Sequence, residues 1–205
     1  MPRQDLQRAY TAKVAEREAL EPAAWKLDRR QEFLEILHAE GRTQLLELGS
    51  GVGQDAAFFH SAGLATTAID LTPANASATA AKGPSAAVAD LLNLPYASAS
   101  FPAAYSLNCF IHLPLNEWSL ALAEAHRVLQ PGAPFHFSVF GGRESAAIFE
   151  DDSYTPPRFF AFYSDEQLKS ILAQNFRIES FLNREPDEDG IHTQTALLRT
   201  RKDLP

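Results

Sequence analysis

The stretch Leu45-Leu46-Glu47-Leu48-Gly49-Ser50-Gly51-Val52-Gly53 constrains the fold more than any other part of the chain. Its apolar half, with Glu47 set inside it, has the composition of a buried strand. Glycines then occupy alternate positions, and Asp55, Ala56, Ala57, Phe58 and Phe59 begin a helical pattern. Strand, glycine turn and helix make half of a parallel α/β unit. Glycine allows positive φ and close approach of a ligand to the backbone, and the start of the helix presents free N–H groups. Such a turn suits a nucleotide-like ligand. The spacing narrows the choice. A dinucleotide fingerprint, G-x-G-x-x-G, has its third glycine where Gln54 stands, and here that glycine falls one residue early, at Gly53. A phosphate loop ends in Lys-Ser/Thr, and no Lys follows.

Composition removes several function classes. At 205 residues the chain suits one domain with a well-developed core. Its formal net charge is −8, without a Lys/Arg block, which disfavours a nucleic-acid partner. Cys109 is the only cysteine, so neither an intrachain disulfide nor a multi-cysteine zinc site is available, and no metal is expected. The N-terminal residues lack the apolar core of a signal peptide, and no apolar run approaches the roughly 20 residues of a membrane span. The expectation is a cytoplasmic protein without a membrane partner.

Residues 3–22 are polar and helix-prone, with Leu6, Tyr10 and Val14 on one side, giving an amphipathic helix or a loosely ordered arm. A second helix is predicted over 25–37, with Phe33, Leu34 and Leu37 as its apolar face and Gly41 as its stop. Residues 1–40 are thus N-terminal helices, a lid or an outer packing layer, and residues 41–205 form the main domain. Strands are predicted over 43–48, 64–70, 86–91, within 101–107, over 133–140, 176–182 and 192–198. Helices are predicted over about 53–62 and 76–81, and in the apolar pattern Trp118, Ala121, Leu122, Ala125, Val128 and Leu129. The last two strands are joined by the charged turn 185–190 with no helix between them, so they must be antiparallel neighbours. Residues 143–163 form a long aromatic insertion, and Ser164 with Gln167 forms a capping box. In that insertion Tyr154 and Arg158 are as well explained by ligand specificity as by closing the apolar layer.

Asp70 ends the second strand 19 positions after Gly51, where a ribose-binding carboxylate belongs. Asn108, Cys109 and His112 follow the fourth strand, at the sheet end that hosts ligands in open α/β folds.

Four segments resemble the class I S-adenosylmethionine (SAM) dependent methyltransferases, in the subset acting on small molecules. They are Glu47 to Gly53, Asp70-Leu71-Thr72-Pro73, Asp90-Leu91-Leu92-Asn93-Leu94-Pro95, and Arg127-Val128-Leu129-Gln130-Pro131-Gly132. The resemblance covers most of residues 43–200. It implies a doubly wound, mostly parallel seven-stranded sheet with helices on both faces and a C-terminal antiparallel hairpin. It implies SAM as cofactor, bound by Glu47, Gly49, Ser50, Gly51, Gly53, Asp70, Leu71, Asp90, Leu91, Asn108 and Cys109, with Asp90 and Leu91 at the adenine. The chemistry agrees. SAM has no phosphate, and its ammonium and sulfonium favour an acid beside the loop. The sequence departs from the family at Phe101-Pro102, where an acid usually follows the Phe.

The expected function is SAM-dependent methyl transfer to a small-molecule acceptor. Alignment and exclusion of water are the main requirements. His112 is the candidate general base, or else a packing histidine beside the sheet end. Cys109 is a small buried residue rather than a nucleophile. The alternatives are a non-catalytic SAM- or nucleoside-binding protein of the same fold and a nicotinamide-dependent oxidoreductase. Oligomeric state is not legible.

Overall fold

The computed structural model describes residues 2–186, 188 and 190–201. Residues 187 and 189 of the acidic turn expected at 185–190 lie outside the described residues.

The sheet forms as the alternation of apolar residues directs. Strand β1 (Gln44–Leu48) turns Leu46 and Leu48 to one face and Leu45 and Glu47 to the other. It pairs in parallel with β2 (Ala65–Asp70) on one side and β4 (Ala104–Leu107) on the other. Outside β2 lies β3 (Ser85–Val88), and outside β4 lies β5 (Pro134–Gly141), both also parallel. The strand β9 (His192–Thr200) runs antiparallel to β5 and to β8 (Phe176–Asn183), giving the order β3-β2-β1-β4-β5-β9-β8. The strand order turns back between β1 and β4, which is the switch point where such sheets bind ligands.

Helices cover both faces. On one, α6 (Trp118–Val128) buries Trp118, Ala121, Leu122, Ala125 and Val128, and α7 (Asp165–Leu172) buries Leu168, Ile171 and Leu172. On the other, α3 (Ala24–Ala39) buries Phe33, Leu34 and Leu37 against Leu45, Tyr105 and Phe59, the last on α4 (Gln54–Ser61). The α3 helix ends in a Schellman motif: Gly41 at φ +63° lets Arg42 N–H reach the Leu37 carbonyl at 2.8 Å. Thr72 precedes α5 (Pro73–Ala80) as its N-cap with Pro73 at the first helical position, although the Thr72 hydroxyl makes no capping bond. The Ser164–Gln167 capping box is present in full. Among the described residues no helix is long and apolar enough to cross a membrane.

Several elements differ from the sequence expectation. Residues 3–22 form two short helices, α1 (Arg3–Thr11) and α2 (Val14–Ala19), broken at Ala12 and Lys13. The third strand stops at Val88, so Asp90 sits in the turn beyond it. The fourth strand begins at Ala104, which leaves Pro102, with no N–H to donate, outside the ladder. The insertion 143–163 is not a plain loop. It holds an antiparallel hairpin of β6 (Ser145–Ile148) and β7 (Phe159–Phe162). Ala161 is fully buried and its neighbouring rings are half-buried, so the backbone polar groups of this run need partners other than water, and β6 supplies them.

Candidate active site

A cavity of about 430 Å³ opens at the carboxyl ends of β1, β2, β3 and β4, a size ordinary for a small-molecule site. It is lined by Glu47, Gly49, Ser50, Gly51, Asp70, Leu71, Asp90, Leu91, Asn108, Cys109 and His112, residues drawn together from four strand ends. Of the expected cofactor-binding residues only Gly53 does not line it, and of the two specificity candidates Arg158 lines it and Tyr154 does not. Gly53 is the N-cap of α4 at φ +80°, and a Cβ there would fall 2.6 Å from Thr79 Oγ1, so this glycine lets α5 close on the loop. Gly49, at φ +77°, does the same on the other side, since a Cβ would lie 2.0 Å from Cys109 Sγ. Burial and the nearby Asp70, Glu47 and Asp90 carboxylates push the Cys109 thiol up, which leaves it a packing group beside the loop.

The loop is held from below by Asp70. Its Oδ2 accepts Gly51 N–H at 2.8 Å, and its Oδ1 accepts Thr72 N–H at 2.8 Å and Asn75 Nδ2 at 3.2 Å. Burial raises its pKa against these bonds. Glu47 is 3% exposed, and the Ala56 N–H donates to its carboxylate. Its Oε2 has no partner. Burial and the Asp55 and Asp70 carboxylates raise its pKa well above the usual range. Asn108, at φ +54°, turns a buried Oδ1 that also lacks a partner. Two acceptors without donors on the cavity wall fit a ligand with a hydrogen-bonding cation, as the ammonium of SAM is.

The far wall belongs to the N-terminal helices, whose exact contacts sequence reasoning missed. Arg3 on α1 pairs with Asp90 and, at 3.0 Å, with Glu117. Asp90 also accepts Leu92 N–H at 3.0 Å. Gln7 donates to the Leu71 carbonyl at 2.8 Å. Leu71, Leu91, Ile111 and Leu113 give this end an apolar surface.

His112 is fully engaged. Its Nε2 lies 2.6 Å from the Tyr10 hydroxyl and its Nδ1 lies 3.0 Å from the Phe159 carbonyl. Burial lowers its pKa to about 4, so the ring is neutral near pH 7. The Tyr10 hydroxyl accepts from Arg158 Nη1 at 3.1 Å, and Arg158 in turn forms a bidentate pair with Asp152 at 2.8 and 2.9 Å. Arg158 therefore meets the cavity with its charge matched, and its guanidinium stacks 3.5 Å from the Tyr154 ring centroid. The chain Asp152–Arg158–Tyr10–His112–Phe159 joins α1, the turn after β4, and the hairpin. Its hydrogen-bonded partners lie up to 148 positions apart, a separation no local pattern signals. No group of three or more His, Cys, Asp or Glu residues fit to hold a metal occurs among the described residues.

Comparison with known proteins places this geometry. Residues 46–137 match the family model described as "Methyltransferase domain". The 1,6-didemethyltoxoflavin-N1-methyltransferase of Burkholderia thailandensis, solved with 1,6-didemethyltoxoflavin and S-adenosylhomocysteine, is similar at 22% identity and TM-score 0.72, over 97% of this chain and 88% of that one. The N-methyltransferase NodS of Bradyrhizobium japonicum, solved with S-adenosylhomocysteine, is similar at 14% identity and TM-score 0.67, over 94% and 98%. The cyclase SpnF is similar at 16% identity and TM-score 0.72, over 97% and 95%. The strand order, the glycine turn at the switch point and these likenesses together identify the fold of the chain as that of the class I SAM-dependent methyltransferases.

Proposed function

We propose that the protein binds SAM in this cavity and transfers its methyl group to a small-molecule acceptor. One observation carries the reading. Glu47 is a carboxylate with a free oxygen beside a glycine loop, its pKa raised by burial and then by the Asp55 and Asp70 carboxylates, and a cationic ligand end relieves that arrangement. In this reading Gly49, Ser50 and Gly51 give the ligand backbone room, and Glu47 with Asn108 Oδ1 holds the ammonium. Asp70 faces the ribose while fixing the loop, Asp90 and Leu91 face the adenine, and Cys109 is wall. Gly53 contributes through the start of α4.

When bound, SAM supplies an electrophilic methyl on a sulfonium that leaves without metal or covalent help. The chain's own task is to align an acceptor and keep water out. Tyr10, His112, Arg158, Phe140 and Phe160 form the wall next to that position. His112 reaches an acceptor only through Tyr10, because the Tyr10 hydroxyl takes the ring's lone pair. The 1,6-didemethyltoxoflavin in the Burkholderia thailandensis N1-methyltransferase supports a small acceptor here. Calorimetric titration with S-adenosylhomocysteine tests the reading: saturable one-to-one binding supports it, and absence of binding ends it.

A second reading, a SAM-binding protein that transfers no methyl group, is favoured by the occupied ring nitrogens of His112. Turnover of methyl-labelled SAM on a panel of small acceptors separates the two.

A further inference from the structure

The β6–β7 hairpin has one covered edge and one open edge. Phe149 N–H donates to the Arg158 carbonyl at 2.9 Å, which continues the register that pairs Ile148 with Phe159. Bonded and non-bonded positions alternate along an antiparallel pair. Ser145 and Ala147 therefore direct their backbone groups at β7, and the N–H and C=O of Ala146 and Ile148 point away from it. The same alternation turns the Phe159 carbonyl outward on the other side, where His112 Nδ1 meets it at 3.0 Å. The turn after β4 thus covers the β7 edge. Among the described residues no strand pairs with the outer edge of β6.

The two edge strands of the main sheet, β3 and β8, are better guarded. β8 carries Arg177 and Glu179 and is bulged between Ile178 and Ser180, devices that keep a further strand from adding. β3 follows Pro84 and exposes one large apolar side chain, Val88. β6 contains neither charge nor proline. Ala146 and Ala147 are exposed, and the adjacent Ile148 and Phe149 are 46% and 55% exposed. An open, uncharged, apolar edge is a template for another strand.

The segment around β6 is complementary to itself. A two-fold contact between identical strands is antiparallel, and the outward groups at 146 and 148 admit an axis through Ala146 or through Ala147. An axis through Ala147 brings Glu144 against Glu150 at both ends, a like-charge pair made twice. An axis through Ala146 avoids that. It sets Ala146 opposite Ala146, Ser145 opposite Ala147, and Arg143 beside Phe149 and the Glu150-Asp151 turn that follows. Arg143 forms no ion pair among the described residues, and there it gains an aromatic face and an acidic neighbour in each copy.

We propose that two copies of this chain join edge to edge at β6, about a two-fold axis through Ala146, so that their hairpins make one four-stranded antiparallel sheet. The contact steadies a wall of each cavity, because β7 brings Phe160 to that wall and holds His112 by the Phe159 carbonyl. It does not depend on which ligand the cavity takes.

Sedimentation velocity on the full-length chain tests the proposal. Wild type should be monomeric at about 1 μM and increasingly dimeric from about 100 μM, as suits a contact smaller than a standard interface. Ala146→Pro removes the N–H at the axis, which takes no part in the β6–β7 ladder, and Ile148→Lys places a charge on the open edge. Each should raise the concentration needed for dimers by about tenfold or more. Thermal melts at low concentration report folding, and if Ala146→Pro melts early, Ile148→Lys decides. Leu120→Lys, at an exposed position of α6, should dimerise as wild type does. Ala146→Cys should oxidise to a covalent dimer under conditions where wild type does not, since the two residues at the axis face each other. Wild type that stays monomeric at the highest concentration overturns the proposal. So does a dimer that Ile148→Lys leaves intact, or an Ala146→Cys variant that forms no link.

Discussion

The Tyr10 hydroxyl lies 2.6 Å from His112 Nε2, across a sequence separation of 102 residues. The carbonyl of Phe159, 3.0 Å from Nδ1, only accepts, so Nδ1 carries the ring proton and Nε2 accepts from Tyr10. Nitrogen-15 NMR should find the Nδ1–H tautomer and a titration midpoint near 4. A midpoint at the ordinary histidine value would show that the ring is not buried as described. Tyr10→Phe leaves Nε2 and Arg158 Nη1 without their partner and is expected to cost about 1–3 kcal/mol in chemical denaturation.

His136 gives the protein an acid-sensitive core. It stacks on Tyr105 at 4.7 Å, its Nε2 has no partner, and burial, with a smaller push from Arg29, lowers its pKa to about 3. A histidine lowered in the folded state takes its proton first in the unfolded chain. Its contribution is therefore complete above the unfolded value of 6.5 and declines as pH falls toward 3. At pH 5 the loss is about 2 kcal/mol for this one ring. The raised Glu47, Asp55 and Asp70 carboxylates slope the other way, since the folded protein takes up their protons first. A difference between variants isolates the ring. The fall in Tm between pH 7 and pH 5 should be shallower in His136→Phe than in wild type, and identical slopes would refute the assignment.

Glu47→Gln removes a buried charge whose Oε2 has no partner and keeps the side chain's shape. The ligand-free variant should be more stable than wild type, by about 1 kcal/mol. Its affinity for SAM should fall, because the cation loses its countercharge. Thermal melts with and without SAM read both effects, and a variant that gains on both counts would remove Glu47 from the site.

Gly49→Ala sets a methyl group 2.0 Å from Cys109 Sγ at a φ of +77°. Both the collision and the left-handed backbone destabilise it, by about 3 kcal/mol together. Adding Cys109→Gly should recover the steric share alone, leaving the backbone share measurable by denaturation.

The parts of this fold that sequence reveals are those made locally. Leu45 to Gly53 announces strand, turn and helix because burial, positive φ and helix initiation each act within a few residues. Asp70 and Asp90 are readable because strand ends in a parallel sheet share one edge. The hairpin of Ser145–Ile148 and Phe159–Phe162 is hidden because ten irregular residues part its strands, and Phe159-Phe160-Ala161-Phe162 has the composition of loop-closing rings as much as of a strand. The second layer of the site is hidden for a different reason. Arg3, Tyr10 and Arg17 look like ordinary residues of a polar helix, and only the folded path of α1 and α2 over the sheet brings them to Asp90, His112 and Gly51, whereas Arg158 is already a candidate from its place in the aromatic insertion.

The place of β9 between β5 and β8 bears on how the chain assembles as it is synthesised. β8 leaves the ribosome before β9, yet its sheet partner is β9 alone. Until β9 emerges, β5 presents an unpaired edge of eight residues, Pro134–Gly141, and β8 has no place to dock. The parallel half of the sheet, with the cavity it shapes, can form on the nascent chain, whereas the antiparallel half must wait and then close in one step. In the interval between those events the edge of β5 is open to edge-to-edge association.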